Sequence, residues 1–201
     1  MKMLGRTTMK VKIDNGKRLF VTSDLHFYHA NIIKFQKNRS DRWSYVEDMN
    51  AGLIQLWNKK VGPEDSVVIV GDFSFGTPEQ TKNIFDQLNG KKYLVFGNHD
   101  SREKLQHCVF EAVSDVMEFK YNGKSFFCSH YAHKVWNKSH YGTYHLYGHS
   151  HGSLPDDPSA LSMDVGIDNH PNMEPFSFDE IVAKMKTKTF VPVDHHNRYT
   201  T

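Results

Sequence analysis

Apolar residues along this chain fall into two patterns, short solid runs and stripes at helical spacing. Val67-Val68-Ile69-Val70 and Tyr93-Leu94-Val95-Phe96 are solid runs. Runs of this length read as strands buried on both faces. Val46, Met49, Leu53, Leu56 and Trp57 recur at helical spacing instead. They predict a helix that starts at Ser44, with Glu47 as its capping-box partner, and ends at Gly62-Pro63. Thr77-Pro78-Glu79-Gln80 is a second helix start, with a cap, a proline at the first helical position and a box partner. That helix ends near Asn89-Gly90. Ser177 caps a last helix through about Lys184, with Ile181 and Val182 facing inward.

Turn dipeptides punctuate the rest. Asn15-Gly16, between residues 11–14 and Leu19–Thr22, predicts a hairpin. Asn122-Gly123, between Val116–Tyr121 and residues 125–129, predicts another. Tyr144–Tyr147 and residues 162–167 read as further strands. Asn31-Ile32-Ile33 reads as a helical turn, and residues 102–107 as a short helix. The tail after Pro192 is polar and carries no element. Strands and helices alternate early and strands dominate late, which describes an α/β protein with more than one sheet.

Composition narrows the function classes. A length of 201 residues suits one domain, expected over 1–201 with its core at about 10–185. An apolar fraction of 38% with 24% charged residues places the chain among globular proteins and away from disordered ones. No apolar stretch reaches the roughly eighteen residues of a membrane span. Residues 1–12 are basic with no apolar run behind them, unlike a secretory signal. A cytoplasmic location without membrane contact is therefore expected. A net charge of +2 gives no basic stripe for nucleic acid. Cys108 and Cys128 read as reduced core residues. Histidine is abundant, at 13.

Five of those histidines fall in polar motifs that follow strands, and in open α/β sheets ligands bind beyond the carboxyl ends of strands. The strand ends offer Asp24 and His26; Asp72; Asn98, His99 and Asp100; His130; His149 and His151. These are nitrogen and oxygen donors without thiolate, a set that suits manganese, iron, zinc, cobalt or nickel. Residues two apart on a strand point the same way, so Asp24 and His26 can aim at one ion. His149 and His151 can share that geometry or serve two neighbouring ions. Each motif alone is weak; five in order are not.

The ordered set Asp24-x-His26, Gly71-Asp72, Gly97-Asn98-His99-Asp100, Ser129-His130 and Gly148-His149-Ser150-His151 resembles the calcineurin-like metallophosphoesterase superfamily. The resemblance covers about residues 19–168. Thr22-Ser23-Asp24-Leu25-His26-Phe27, with His29-Ala30-Asn31-Ile32-Ile33 and the closing Pro175-Phe176-Ser177-Phe178-Asp179-Glu180-Ile181, is similar to its small bacterial and phage branch. It implies a four-layer α-β-β-α sandwich of two mixed sheets with two divalent ions at one edge. It further implies that Asp24, His26 and His151 bind the first ion, Asn98, His130 and His149 the second, and that Asp72 bridges them. Two such ions neutralise a phosphate ester and activate water for in-line attack. The resemblance also implies that His99 acts as general acid, since an imidazole titrates near neutrality, or stabilises charge on the phosphoryl oxygens, and that Asp100 orients its ring.

Where many members carry a further acidic residue after Gly-Asp, this chain has Phe73-Ser74-Phe75, which line the pocket or pack. His29, Asn31 and Arg42 are candidate substrate contacts. Arg39, like Arg42, suits a bidentate grip on phosphate. Tyr131, His133, Lys134 and Trp136 follow His130 and either hold a base or sugar or pack. His195 and His196 receive no role. The expected activity is a small phosphodiesterase on a nucleotide-like substrate. A phosphatase, a nuclease and a catalytically inactive binding scaffold are the alternatives, and a homo-oligomer is compatible with the chain.

Overall fold

Ten strands carry the architecture of the described residues, 7–193, in the computed structural model. They are β1 (Thr8–Lys10), β2 (Leu19–Thr22), β3 (Ser66–Ile69), β4 (Lys91–Val95), β5 (Ala112–Ser114), β6 (Val116–Tyr121), β7 (Lys124–Ser129), β8 (Tyr144–Tyr147), β9 (Ser162–Asp164) and β10 (Phe176–Ser177). The helices are α1 (Ile32–Phe35), α2 (Lys37–Ser40), α3 (Val46–Lys60), α4 (Pro78–Gln87) and α5 (Phe178–Lys186). Residues 1–6 and 194–201, which include His195 and His196, lie outside the described residues.

Two mixed five-stranded sheets form, in the orders β10-β2-β3-β4-β5 and β1-β6-β7-β8-β9. β2 to β5 run parallel, and β10 closes their edge antiparallel to β2. The solid runs are buried on both faces because each side has a partner. Val21, Val68 and Val95 meet Met117, Cys128 and Leu146 of the second sheet, with Ile181 and Met185 of α5 in the same cluster. Phe20, Val67, Ile69 and Leu94 point the other way, onto α1, α3 and α4. The fourth layer, over the far face of β7 and β8, is made from residues 131–143 and holds a 3₁₀ turn at Ser139–Tyr141 in place of an α-helix. Trp136 lies in it, donating its indole N–H to the Thr143 carbonyl at 2.9 Å and packing on His145.

Several expectations change. Asn15-Gly16 does turn the chain, but its flanks do not pair with each other. β1 pairs parallel with β6 and β2 with β3, so the two sides of the turn enter different sheets. A turn dipeptide sets a local reversal, and burial chooses the partner: Ile13 inserts into the core between the sheets. Helix α3 starts at Val46, and no side chain caps it, so the Ser44–Glu47 box is absent. Residues 102–107 form successive turns without a helix. The strand expected over 162–167 stops at Asp164. β1, β5 and β10 are too short for a pattern to reveal. The Asn122-Gly123 hairpin, the Thr77/Gln80 capping box and the Ser177 cap form as expected, and Glu180 completes a box with Ser177.

His145 in the middle of β8 is fully buried and neutral. Its Nδ1–H donates to the Phe127 carbonyl at 3.1 Å and its Nε2 accepts from the His133 N–H at 3.0 Å. Burial, aided by nearby His133, pushes its pKa down to about 4. Between that value and an unfolded pKa of roughly 6.5, the unfolded state binds the extra proton. Stability contributed by the neutral ring is thus complete above pH ~6.5 and is lost as pH falls toward 4. The expected loss is about 3 kcal/mol. Urea midpoints of wild type and His145→Gln at pH 7, 5.5 and 4.5 check this. Wild type should lose more stability than the variant across that window, and parallel pH profiles would sink the assignment.

Candidate metal centre

The loops that leave β2 and β3 run side by side, which delivers the first candidate residues to one place. Asp24 and His26 donate their N–H groups to the Gly71 and Asp72 carbonyls at 3.0 and 3.1 Å. Strand alternation does not aim them, as the sequence suggested. Asp24, His26, Asp72, His149 and His151 all sit at positive φ, between 45° and 67°. Left-handed backbone costs a non-glycine residue about 1–3 kcal/mol and concentrates at functional sites. Five candidate residues share it here, because a sharp turn just past each strand end projects their side chains toward a common point.

Two groups result, Asp24–His26–His151 and Asp72–His130–His149. In the first, the Nε2 atoms of His26 and His151 stand 3.2 Å apart, and Asp24 Oδ1 lies 3.8 and 4.0 Å from them. In the second, His130 Nε2 is 3.4 Å from Asp72 Oδ2 and 3.0 Å from Asn98 Oδ1, and His149 Nδ1 is 3.0 Å from the same Asn98 oxygen. Asp72 Oδ2, in the second group, is also 3.8 Å from His26 Nε2 of the first. Ligands about 2.1 Å from one ion lie roughly 3.0–3.4 Å apart when adjacent and up to about 4.2 Å when opposite, so these spacings fit coordination spheres.

The outer nitrogens strengthen that fit. His151 Nδ1 bonds to Asp168 Oδ2 at 2.8 Å and His130 Nδ1 to the Val70 carbonyl at 2.9 Å. An acceptor on Nδ1 fixes the tautomer and turns the Nε2 lone pair inward, as a cation requires. Burial pushes His26 down to about 2, leaving it neutral. Burial raises Asp24 to about 6. Burial opposes the ionised forms of Asp72 and His130 too, but their mutual hydrogen bond overrides it. Asp72 falls to about 2 and His130 rises to about 9. A cation held at His130 Nε2 would take the place of that proton. Backbone approach is tight as well. A Cβ on Gly97 would overlap Asp72 Oδ1, and one on Gly148 would overlap the Ser23 hydroxyl and Asp24 Oδ2, so both motifs need glycine.

His99 is exposed, and its ring lies 4.6 Å from Phe75 and 5.9 Å from the His26 ring. Asp100 does not orient that ring. Its carboxylate accepts from the N–H groups of Asp72, Phe73 and Gly97 at 2.8, 2.9 and 2.9 Å, binding two ligand-bearing loops together. Carboxylates in tight Gly-turns commonly close the turn, and that local demand prevails here. His29 reaches the site, its ring 4.1 Å from Phe75. No described contact joins Asn31 or Arg42 to either group; Arg42 donates to the Pro171 carbonyl at 3.1 Å. Arg39 is fully buried and grips Asp168, not a phosphate, at 2.7 and 2.8 Å. It also donates to the Leu25 and Asp24 carbonyls. Arg39 and Asp168 therefore form a buried support behind His151, which no motif in the sequence signals.

Phe73 packs in the core, whereas Phe75 faces the site. His133 and Trp136 pack on His145, and Lys134 pairs with Asp157 at 3.8 Å on the surface. Tyr131, 51% exposed, reaches within 4.5 Å of the His149 ring.

A family model described as calcineurin-like phosphoesterase matches residues 17–199. The chain belongs to the calcineurin-like phosphoesterases. As a member it is a metal-dependent hydrolase of phosphoric esters. An uncharacterized protein of Methanocaldococcus jannaschii is 33% identical over 174 residues, 83% of this chain and 90% of that one. The gene 66 protein of Mycobacterium phage D29 is 40% identical over 85 residues, 41% of this chain and 40% of the phage protein. A protein of unknown function from Aquifex aeolicus shares the fold, with a TM-score of 0.63 at 23% identity over 84% of this chain and 99% of its own. Among the described residues, no helix is long and apolar enough to cross a membrane.

Proposed function

We propose that this phosphoesterase is a two-metal phosphodiesterase acting on a small, nucleotide-like substrate. The observation that carries the reading is the pair of adjacent donor groups, with Asp72 of one 3.8 Å from His26 of the other and four residues almost fully buried. Asp24, His26 and His151 would hold one ion, Asn98, His130 and His149 the other, and Asp72 would lie between them. Two divalent ions so held neutralise phosphoryl oxygens and bring the pKa of a water toward neutrality. Manganese, iron, zinc, nickel and cobalt all suit these donors.

The remaining residues handle position and protons. Asp100 keeps the Asp72 and Gly97 loops in register through their N–H groups. Phe75 forms an apolar wall between His26, His29 and His99, which excludes water from one side of the reacting group. His99, exposed beside that wall, is placed to deliver a proton to the leaving oxygen. Two substrates and one chelator test the reading. Protein reconstituted with manganese should hydrolyse bis-p-nitrophenyl phosphate faster than p-nitrophenyl phosphate, and EDTA should abolish both. Equal or faster monoester cleavage would make it a phosphatase. No turnover with any of the five metals would leave a binding scaffold.

A further inference from the structure

Four lysines surround a cleft on the outer face of the second sheet. Lys10, Lys12, Lys120 and Lys138 line it, and its volume is about 450 Å³. Strand alternation puts the charges there. Met117, Phe119 and Tyr121 face the core, so Glu118 and Lys120 point outward, and the β1–β6 register sets Lys10 beside Glu118. The fourth layer supplies the other wall with Asn137, Lys138 and Thr143. Lys138 is held at a left-handed φ of 60°, its carbonyl accepting from the Tyr141 and Thr143 N–H groups at 3.0 and 3.3 Å. Among the described residues, no carboxylate pairs with any of the four ammonium groups, whereas Lys184 and Lys188 converge on Asp156. Glu118, the acid in the lining, accepts from the Asn137 amide at 2.8 Å. A net charge of +2 for the whole chain conceals this concentration.

We propose that this cleft binds a small anion carrying several phosphate groups, at a site separate from the metal centre. β6 runs away from that centre. Val116 pairs with Ser129, next to His130, and Lys120 lies four residues further, roughly 13 Å on at the rise of a strand. No histidine lines the cleft, and Glu118 alone makes no donor set for an ion, so the occupant is held and not cleaved. Like charges left unpaired around one concavity draw anions into it. The kind of charge narrows the class. Lysine is a compact point charge on a flexible stem and suits phosphate oxygens, whereas a planar carboxylate is gripped best by arginine, and none lines the cleft. The lining rings of Phe119 and Phe126 are buried in the core and offer no platform for a base, which argues against a nucleic-acid strand. The volume lies within the range of small-ligand sites, roughly 300–1,000 Å³.

Inorganic triphosphate is the probe, with the full chain freed of metal so that no ion at the donor groups captures it. Acetylation of lysines is read by mass spectrometry of peptides. With triphosphate about tenfold above its Kd, acetylation should slow by about tenfold at Lys10, Lys12, Lys120 and Lys138, in line with the free fraction. It should be unchanged at Lys91 and Lys186. By calorimetry, Lys12→Glu combined with Lys120→Glu should weaken binding by about tenfold or more, since each reversal turns attraction into repulsion. Lys91→Glu combined with Lys186→Glu changes the net charge equally, outside the cleft, and should alter affinity by less than about twofold. These four side chains are exposed, so urea midpoints of both double variants should stay close to wild type. No binding, protection spread evenly over the surface, or equal weakening by both double variants would overturn the site. A hexaglutamate peptide that binds as tightly as triphosphate would overturn the small-ligand reading in favour of an acidic protein segment.

Discussion

His99→Ala is expected to lower kcat by about 10²–10⁴-fold, the usual contribution of a general acid, with metal content unchanged. His99 is attached through its backbone. Its N–H donates to Asp72 Oδ1 at 2.9 Å and its carbonyl accepts from Lys104 Nζ at 3.0 Å. Both contacts are made by the backbone and survive truncation of the ring. The ring itself touches Phe75 and no member of either donor group by hydrogen bond. Elemental analysis of reconstituted protein and single-turnover kinetics separate the outcomes. A fall in bound metal would make His99 a ligand, and a retained kcat would remove it from the mechanism.

Arg39→Leu is expected to destabilise the protein by about 3–5 kcal/mol, as removal of one partner from a buried ion pair does. Arg39 and Asp168 have side chains 0% and 2% exposed, and the guanidinium also satisfies two backbone carbonyls next to the ligands. Without it, the Asp168 carboxylate keeps only His151 as a partner. Asp168 is held at about 2 because His151 and Arg39 overcome the effect of burial. A urea midpoint that drops with an unchanged slope would report the loss, and a midpoint equal to wild type would refute it. Asp168→Asn separates support from stability. It should weaken one metal site by about 10–100-fold and leave the other near its wild-type affinity. Titration of both sites by calorimetry distinguishes this from a general loss of fold.

The expected and observed roles of particular residues part at a common place. Val67 to Val70 and Tyr93 to Phe96 were legible as buried strands because solid apolar runs satisfy two faces wherever they lie. The donor residues were legible because motifs of the right chemistry recur after strands. The substrate contacts were not. Asn31 and Arg42 lie near the first motif in sequence, yet only His29 reaches the site. Arg39, which the sequence offers as a grip on phosphate, is among the most buried side chains. Asp100 follows His99, yet it binds the backbone of Asp72 and Phe73, 28 and 27 positions earlier.

Turns, the helix caps at Thr77 and Ser177, solid strand runs and the kinds of donor available were determined by the sequence alone, since each depends on neighbours within a few residues. Tertiary structure alone decided that β1 joins β6 and not β2, that left-handed turns rather than strand alternation aim Asp24 and His26, and that Asp72 comes within 3.8 Å of His26. It also decided which nitrogen of His151 faces inward. That choice rests on Asp168, which Arg39 holds from 129 positions away. A charge so distant in sequence becomes a neighbour only when burial makes pairing cheaper than leaving either group alone.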